Sequence, residues 1–178
     1  MKRITAIILA LSLTFLAGCK DKPADTTSKN SSIETTTALP EEVKQDANGE
    51  MITNGTFDSG ETKGWSTFSQ GGSGTISVVD KKLVVDVTDA GNLDYAFQVY
   101  QDGFKLDTGC KYEMKFDISS TVERALEFRI QINGGDYHAY ISKVVTASTK
   151  EQTCTVDFDM TESSDPAPRL AFNMGLPK

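Results

Sequence analysis

Residues 131–140, QINGGDYHAY, contain the chain's only histidine, His138, set between Tyr137 and Tyr140 and behind a Gly-Gly pair. Two kinds of chemistry suit such a cluster. A histidine can serve as general base for a nucleophile, whereas tyrosines at the end of a strand offer flat rings on which the apolar face of a ligand lies. The first option calls for a serine elbow such as Gly-x-Ser-x-Gly, which the sequence lacks. A second catalytic possibility is a pair of carboxylates about 5 to 10 Å apart, as in glycoside hydrolysis. Asp157-x-Asp159 and Glu123/Glu127 supply carboxylates, but strand alternation places the aspartates on a charged outer face.

The segment just before the cluster, ALEFRIQIN (125–133), is more informative. Leu126, Phe128, Ile130 and Ile132 share one parity and are expected in the core. Glu127, Arg129, Gln131 and Asn133 share the other. A row of planar groups that donate and accept hydrogen bonds in fixed directions suits a hydroxyl-rich ligand such as a sugar.

The elements that must position these residues are strands. Runs that alternate apolar and polar residues, separated by turn residues, occur at 75–79, 82–88, 94–101, 111–119, 125–133, 137–145, 152–160 and 169–175. Such spacing predicts an all-β sandwich or jelly roll of antiparallel sheets. In KYEMKFDIS, Tyr112, Met114, Phe116 and Ile118 face inward and Glu113, Lys115 and Asp117 outward. In QTCTVDFDM, Cys154, Val156, Phe158 and Met160 face inward against Thr155, Asp157 and Asp159.

The N-terminus has a different composition. Lys2 and Arg3 precede an apolar run from Ile4 to Leu16, too short for a membrane span and built like a secretory leader. Leu16-Ala17-Gly18-Cys19 resembles the bacterial lipobox, which implies cleavage before Cys19, lipidation of that cysteine and anchoring to a membrane at the cell surface or envelope. On this reading residues 1–18 are a leader outside the folded part. Residues 19–50 are a lipidated, Ser/Thr- and charge-rich tether of roughly 30 Å r.m.s. span. Residues 51–178 are the folded module. Loss of Lys2 and Arg3 takes the net charge from −7 to −9, so nucleic acid and anionic lipid are repelled and neutral partners favoured.

NGTFDSGETKGW (54–65) is similar to the opening of carbohydrate-binding modules of families 4 and 9, which also occur beside family 22. FQVYQDGFKLDTG, KYEMKFDIS, the Arg/Gln strand, the tyrosine after it and LAFNMG follow in the family's order. The resemblance implies a jelly roll that holds one glycan chain, a β-linked glucan above all, in a cleft across its concave sheet. By position it implies Phe68, Gln98, Arg129, Gln131, Tyr137 and Asn173 as carbohydrate-binding residues, with Trp65 a packing residue. It implies no catalysis, no required cofactor and a monomer. The rival readings are a glycoside hydrolase component, with activity here or in a region beyond residue 178, and an adhesive surface lipoprotein. The Glu-x-Asp-x-x-Glu signature of laminarinase-like jelly rolls is absent.

The chain departs from the family in one respect. Members usually finish on a strand of the type Ile-x-Ile-Asp-Asn-Val, whereas LAFNMG is followed here only by Leu176-Pro177-Lys178. The expectation is a fragment lacking its final strand, with an exposed sheet edge. Some relatives draw an acidic ligand for a structural calcium from that strand, so whether a metal is bound here stays open. If their strands are antiparallel neighbours, as the resemblance implies, Cys110 and Cys154 lie at opposite ends of a ladder, roughly 20 Å apart at 3.3 Å per residue. Two unbridged thiols are therefore expected.

Overall fold

The computed structural model of the protein describes residues 4–16 and 50–175. Among them there is no helix. Ten strands form two five-stranded sheets: β1 Ile4–Leu16, β2 Ser66–Ser69, β3 Ser73–Val79, β4 Lys82–Asp89, β5 Phe97–Gln101, β6 Lys111–Ser120, β7 Arg124–Gln131, β8 Ala139–Ala147, β9 Gln152–Asp159 and β10 Arg169–Asn173. One sheet has the order β3-β4-β1-β6-β9 and the other β2-β5-β10-β7-β8. Every pairing is antiparallel. The all-β sandwich expected from the alternation is thus the fold. The short strand β2, four residues long, is an addition to the expected set, because it carries no apolar alternation.

The two inner faces meet in a dry aromatic core. Phe116 of β6 packs edge-on to Phe172 of β10 at 5.2 Å and against Phe128 of β7 at 5.6 Å. All three rings are fully buried. Tyr112 stacks on Phe158 at 5.3 Å, and burial raises the pKa of its phenol. The parities expected of β6 and β9 hold, with Cys154 only half-buried. That of β7 holds through Ile130, but Ile132 is exposed because the strand ends at Gln131 and the chain turns there.

Two sequence signals set the register. Asp80 and Lys81 both adopt positive φ (51° and 59°) between Val79 and Lys82, the geometry of a two-residue hairpin turn whose twist matches that of its strands. Gly74 must be glycine because a Cβ there would lie 2.6 Å from the Phe97 ring. Near the start of the module, Phe57 and Trp65 pack together at 5.9 Å in the core, so Trp65 is a packing residue. This segment is held by Gln101, whose Oε1 accepts from Thr53 N at 2.7 Å and whose Nε2 donates to Thr53 O at 2.9 Å. Gln101→Leu leaves both Thr53 groups without their partner. It is expected to cost about 1–3 kcal/mol, read as a lower urea midpoint at unchanged m-value.

Residues 4–16 form β1 in the middle of a sheet, residues 4–8 pairing with 83–87 of β4 and residues 6–16 with 111–120 of β6. Without β1, both neighbours would present unpaired backbone groups inside the sheet, and the Ile/Leu-rich run supplies a strand that satisfies them. One expectation is corrected: Cys110 is not a free thiol but disulfide-bonded, whereas Cys154 is free. The distance argument ruled out only the pairing of those two with each other.

Candidate functional site

Sheet β2-β5-β10-β7-β8 turns its outer face to a cleft, and the registers fix what lines up across it. One row runs Phe68, Gln98, Asn173, Glu127, Val144. The next runs Ser66, Tyr100, Ala171, Arg129, Ser142. A third begins with Arg169 opposite Gln131. Ala171 sits at the centre of the middle row with no exposed surface, so the floor is low there while Tyr100 and Arg129 rise beside it. The resulting cleft holds about 400 Å³ and is lined by Phe68, Gln70, Tyr95, Gln98, Arg129, Gln131, Asp136, Tyr137 and Arg169.

Aromatic rings stand along the rim. Phe68 is 40% exposed, Tyr95 36% and Tyr137 49%. The floor is polar but ordered. Gln98 Nε2 donates to Asn173 Oδ1 at 2.6 Å, Asn173 Nδ2 donates to Glu127 Oε2 at 2.7 Å, and Ser142 Oγ donates to Glu127 Oε1 at 2.5 Å. This chain crosses four strands and holds Gln98 in one orientation. At the other end Arg169 donates twice to Asp102, at 2.8 Å each, with its guanidinium 3.8 Å from the Tyr100 ring centre. The bond to the Asp102 carboxylate raises the Arg169 pKa above its ordinary value. Gln131 Oε1 and Arg129 Nε are buried and make no hydrogen bond among the described residues, although Arg129 Nε lies 4.0 Å from Glu127 Oε1.

The turn after β7 explains how Tyr137 comes to the rim. Gly134 and Gly135 have positive φ, and so does Tyr137, at 54°. Tyr137 N donates to Gly134 O at 3.0 Å, and Arg129 Nη2 donates to Tyr137 O at 3.0 Å. A non-glycine residue is held in the left-handed region only where its surroundings determine it. Strand β8 then starts at Ala139, not at Tyr137, with a register shift between Ile130 and Gln131. This bulge separates the two tyrosines. Tyr137 lines the cleft, while Tyr140 packs against the core and donates to Asp165 Oδ2 at 2.8 Å. Burial and that carboxylate push the Tyr140 pKa well up. His138 points away to Glu162, 2.8 Å from its Nε2, so it has no nucleophile to serve.

Five of the six residues expected to bind, Phe68, Gln98, Arg129, Gln131 and Tyr137, come together in the cleft. Asn173 does not line it. It is buried and acts from beneath, fixing Gln98. Gln70, Tyr95, Asp136 and Arg169 were not anticipated. Arg169 had a signal, sharing parity with Ala171 and Asn173 in its strand. Tyr95 had none, because it lies before β5 in an irregular turn.

The sequence model of the family described as "Carbohydrate binding domain" (CBM_4_9) matches residues 49–178. The chain belongs to that family. This carbohydrate-binding domain also shares its fold with a solved structure described as "CBM4 structure and function", at TM-score 0.63 and 21% identity, covering 70% of this chain and 88% of the other. No curated protein matches it. Its family is one of non-catalytic binding modules, and the jelly-roll sandwich is the architecture seen here. As to a structural calcium, no group of three or more His, Cys, Asp or Glu side chains among the described residues is placed to hold a metal ion.

Proposed function

We propose that the cleft binds a single polysaccharide chain, a β-linked glucan, without cleaving it. The observation that carries this is the pairing of exposed rings, Phe68, Tyr95 and Tyr137, with amide and guanidinium groups whose orientations are fixed from below. A pyranose presents just these two aspects: a C–H face that lies on an aromatic ring and a rim of hydroxyls that exchange hydrogen bonds. Membership of a carbohydrate-binding family supports the ligand class. The choice of a β-glucan follows from the preference implied by the resemblance to families 4 and 9.

The domain is further proposed to act as a monomer, on a lipoprotein exported and anchored through Cys19, with residues 19–50 as its tether. The lipobox-like Leu16-Ala17-Gly18-Cys19 and the polar composition that follows support this.

Affinity electrophoresis against β-1,3-, β-1,4- and mixed-linkage glucans, xylan and mannan tests the binding reading. Retardation by a β-glucan is expected, and mobility unchanged on every polymer sinks it in favour of an adhesive role. Within that assay Arg169→Lys is expected to weaken binding roughly fivefold, because lysine cannot keep the two-pronged pair with Asp102 and loses about one hydrogen bond's worth of order at the cleft wall.

A further inference from the structure

Three Asn-Gly pairs occur in the sequence, at Asn48, Asn54 and Asn133, and the last two fall among the described residues. An asparagine followed by glycine is open to attack on its own side-chain amide, because the next residue has no Cβ to hinder its backbone nitrogen. What holds the two described pairs differs. Asn54 Nδ2 donates to Glu61 O at 2.8 Å and to Lys63 O at 3.2 Å, and its Oδ1 accepts from Ser59 Oγ at 3.3 Å. Asn133 is exposed, and neither its side chain nor the Gly134 N–H makes a hydrogen bond among the described residues. A Cβ placed on Gly134 would meet no atom within 4 Å, so the space in which amide and nitrogen must close is clear. We infer that Asn133 is a modification site, converting spontaneously to an iso-aspartyl linkage that lengthens the turn carrying Tyr137 and lowers affinity in the cleft. The loss of affinity rests on the glycan reading above; the modification itself does not.

The reaction needs only the chain and water. The Gly134 nitrogen gives up its proton and bonds to Asn133 Cγ. The Cγ–Nδ2 bond breaks, and ammonia leaves with that proton, closing a cyclic imide. Water then opens one of the two C–N bonds of the ring. Opening at Cγ leaves an ordinary aspartyl residue. Opening at the main-chain carbonyl leaves a free α-carboxylate and a backbone that runs through Cβ and Cγ, longer by one methylene. That methylene falls inside a closed turn, because Ile132 N donates to His138 O at 2.9 Å and Tyr137 N to Gly134 O at 3.0 Å. Gly134 O is thereby displaced relative to the Ile132–His138 closure. Tyr137, at φ 54°, keeps a left-handed backbone only while its surroundings determine it, and the bond to Gly134 O is one of those surroundings.

The purified chain, held in warm, mildly alkaline buffer, tests this by peptide mass mapping, with fragmentation to place each change and iso-aspartyl-specific enzymatic methylation to identify the linkage. Conversion is expected at Asn133, and roughly thirtyfold more slowly at Asn54, where two hydrogen bonds must open first. In denaturing urea the two rates are expected to converge. Asn133→Gln, whose longer side chain closes an imide far less readily, is expected to keep its mass at that position. The iso-aspartyl form, separated chromatographically, should exchange the Tyr137 N–H for deuterium faster and bind the best-binding glucan as weakly as Tyr137→Ala. Asn133→Asp adds the charge without the methylene and should match the parent in both. An Asn133 that stays amidated in the folded chain, or reacts no faster than Asn54, overturns the site. An iso-aspartyl form with parental exchange at Tyr137 overturns the effect on the turn, and one with parental affinity overturns the effect on the cleft. Mass and exchange are read without a ligand, so a parent chain that binds no glycan removes the cleft reading and leaves the modification site standing.

Discussion

Tyr137→Ala is expected to weaken glycan binding roughly thirtyfold while moving the thermal midpoint by less than about 2 °C. The ring is half exposed at the rim. Covering about 50 Å² of it with a sugar face is worth about 1 kcal/mol by area, and stacking adds about 1 kcal/mol more. Together they give about 2 kcal/mol, or roughly thirtyfold in Kd. Stability is spared because the side chain makes no hydrogen bond among the described residues, while the contacts that set the turn, to Gly134 and Arg129, use Tyr137's main-chain atoms. Alanine in place of a residue at φ 54° keeps a mildly strained backbone, and that strain is already present in the native chain. Tyr140→Ala is the contrasting variant. It removes core packing and the bond to Asp165, so it should lower the midpoint first and binding only through the fold. Titration of both variants with the best-binding glucan, beside their melting curves, separates these outcomes. A Tyr137→Ala protein that binds as tightly as the parent would place the ligand elsewhere.

What sequence could and could not disclose follows from which interactions repeat at short range. The alternation in KYEMKFDIS and QTCTVDFDM reports directly on a sheet with one dry face, and both strands fold as their parity requires. The cleft was legible in part because Arg129 and Gln131 share a parity on one strand. Asn173 was placed at the site, but its depth was not readable. Lying on the cleft parity brings a residue to that face without saying whether its neighbours cover it. Phe68, Gln98 and Glu127 stand in the same row, and that row is defined by pairings between strands far apart in the chain. Tyr95 and Asp136 lie on turns, where no period exists to read. The bulge beside Gln131 was the decisive local unknown, because one extra residue reverses the faces of Tyr137 and Tyr140. The apolar run 4–16 shows a different limit. Its composition suits a leader as well as a strand, and the pairing of residues 4–16 with β4 and β6 is not written in it.

Asn173→Leu is expected to be the most damaging single change in the floor of the cleft. Asn173 is buried, and its two polar ends are both used, one by Gln98 and one by Glu127. Leucine keeps the four-atom branched shape but is bulkier, so some packing strain adds to the main effect, in which Gln98 Nε2 and Glu127 Oε2 each lose a partner. A buried group stranded in this way costs about 1–3 kcal/mol, so the pair should lower stability by about 2–6 kcal/mol. Binding is expected to fall as well, because Gln98 lines the cleft and is no longer held in the orientation that a sugar hydroxyl meets. A double-mutant cycle with Gln98→Leu gives the cleaner measurement. Removing both amides leaves only the Glu127 oxygen stranded, so the double variant should be more stable than the sum of the single losses predicts, by about 1 kcal/mol or more. Strict additivity in denaturant unfolding would mean that the Gln98–Asn173 contact does no work in the folded protein, and Asn173 would then have to be read as filler beneath the cleft.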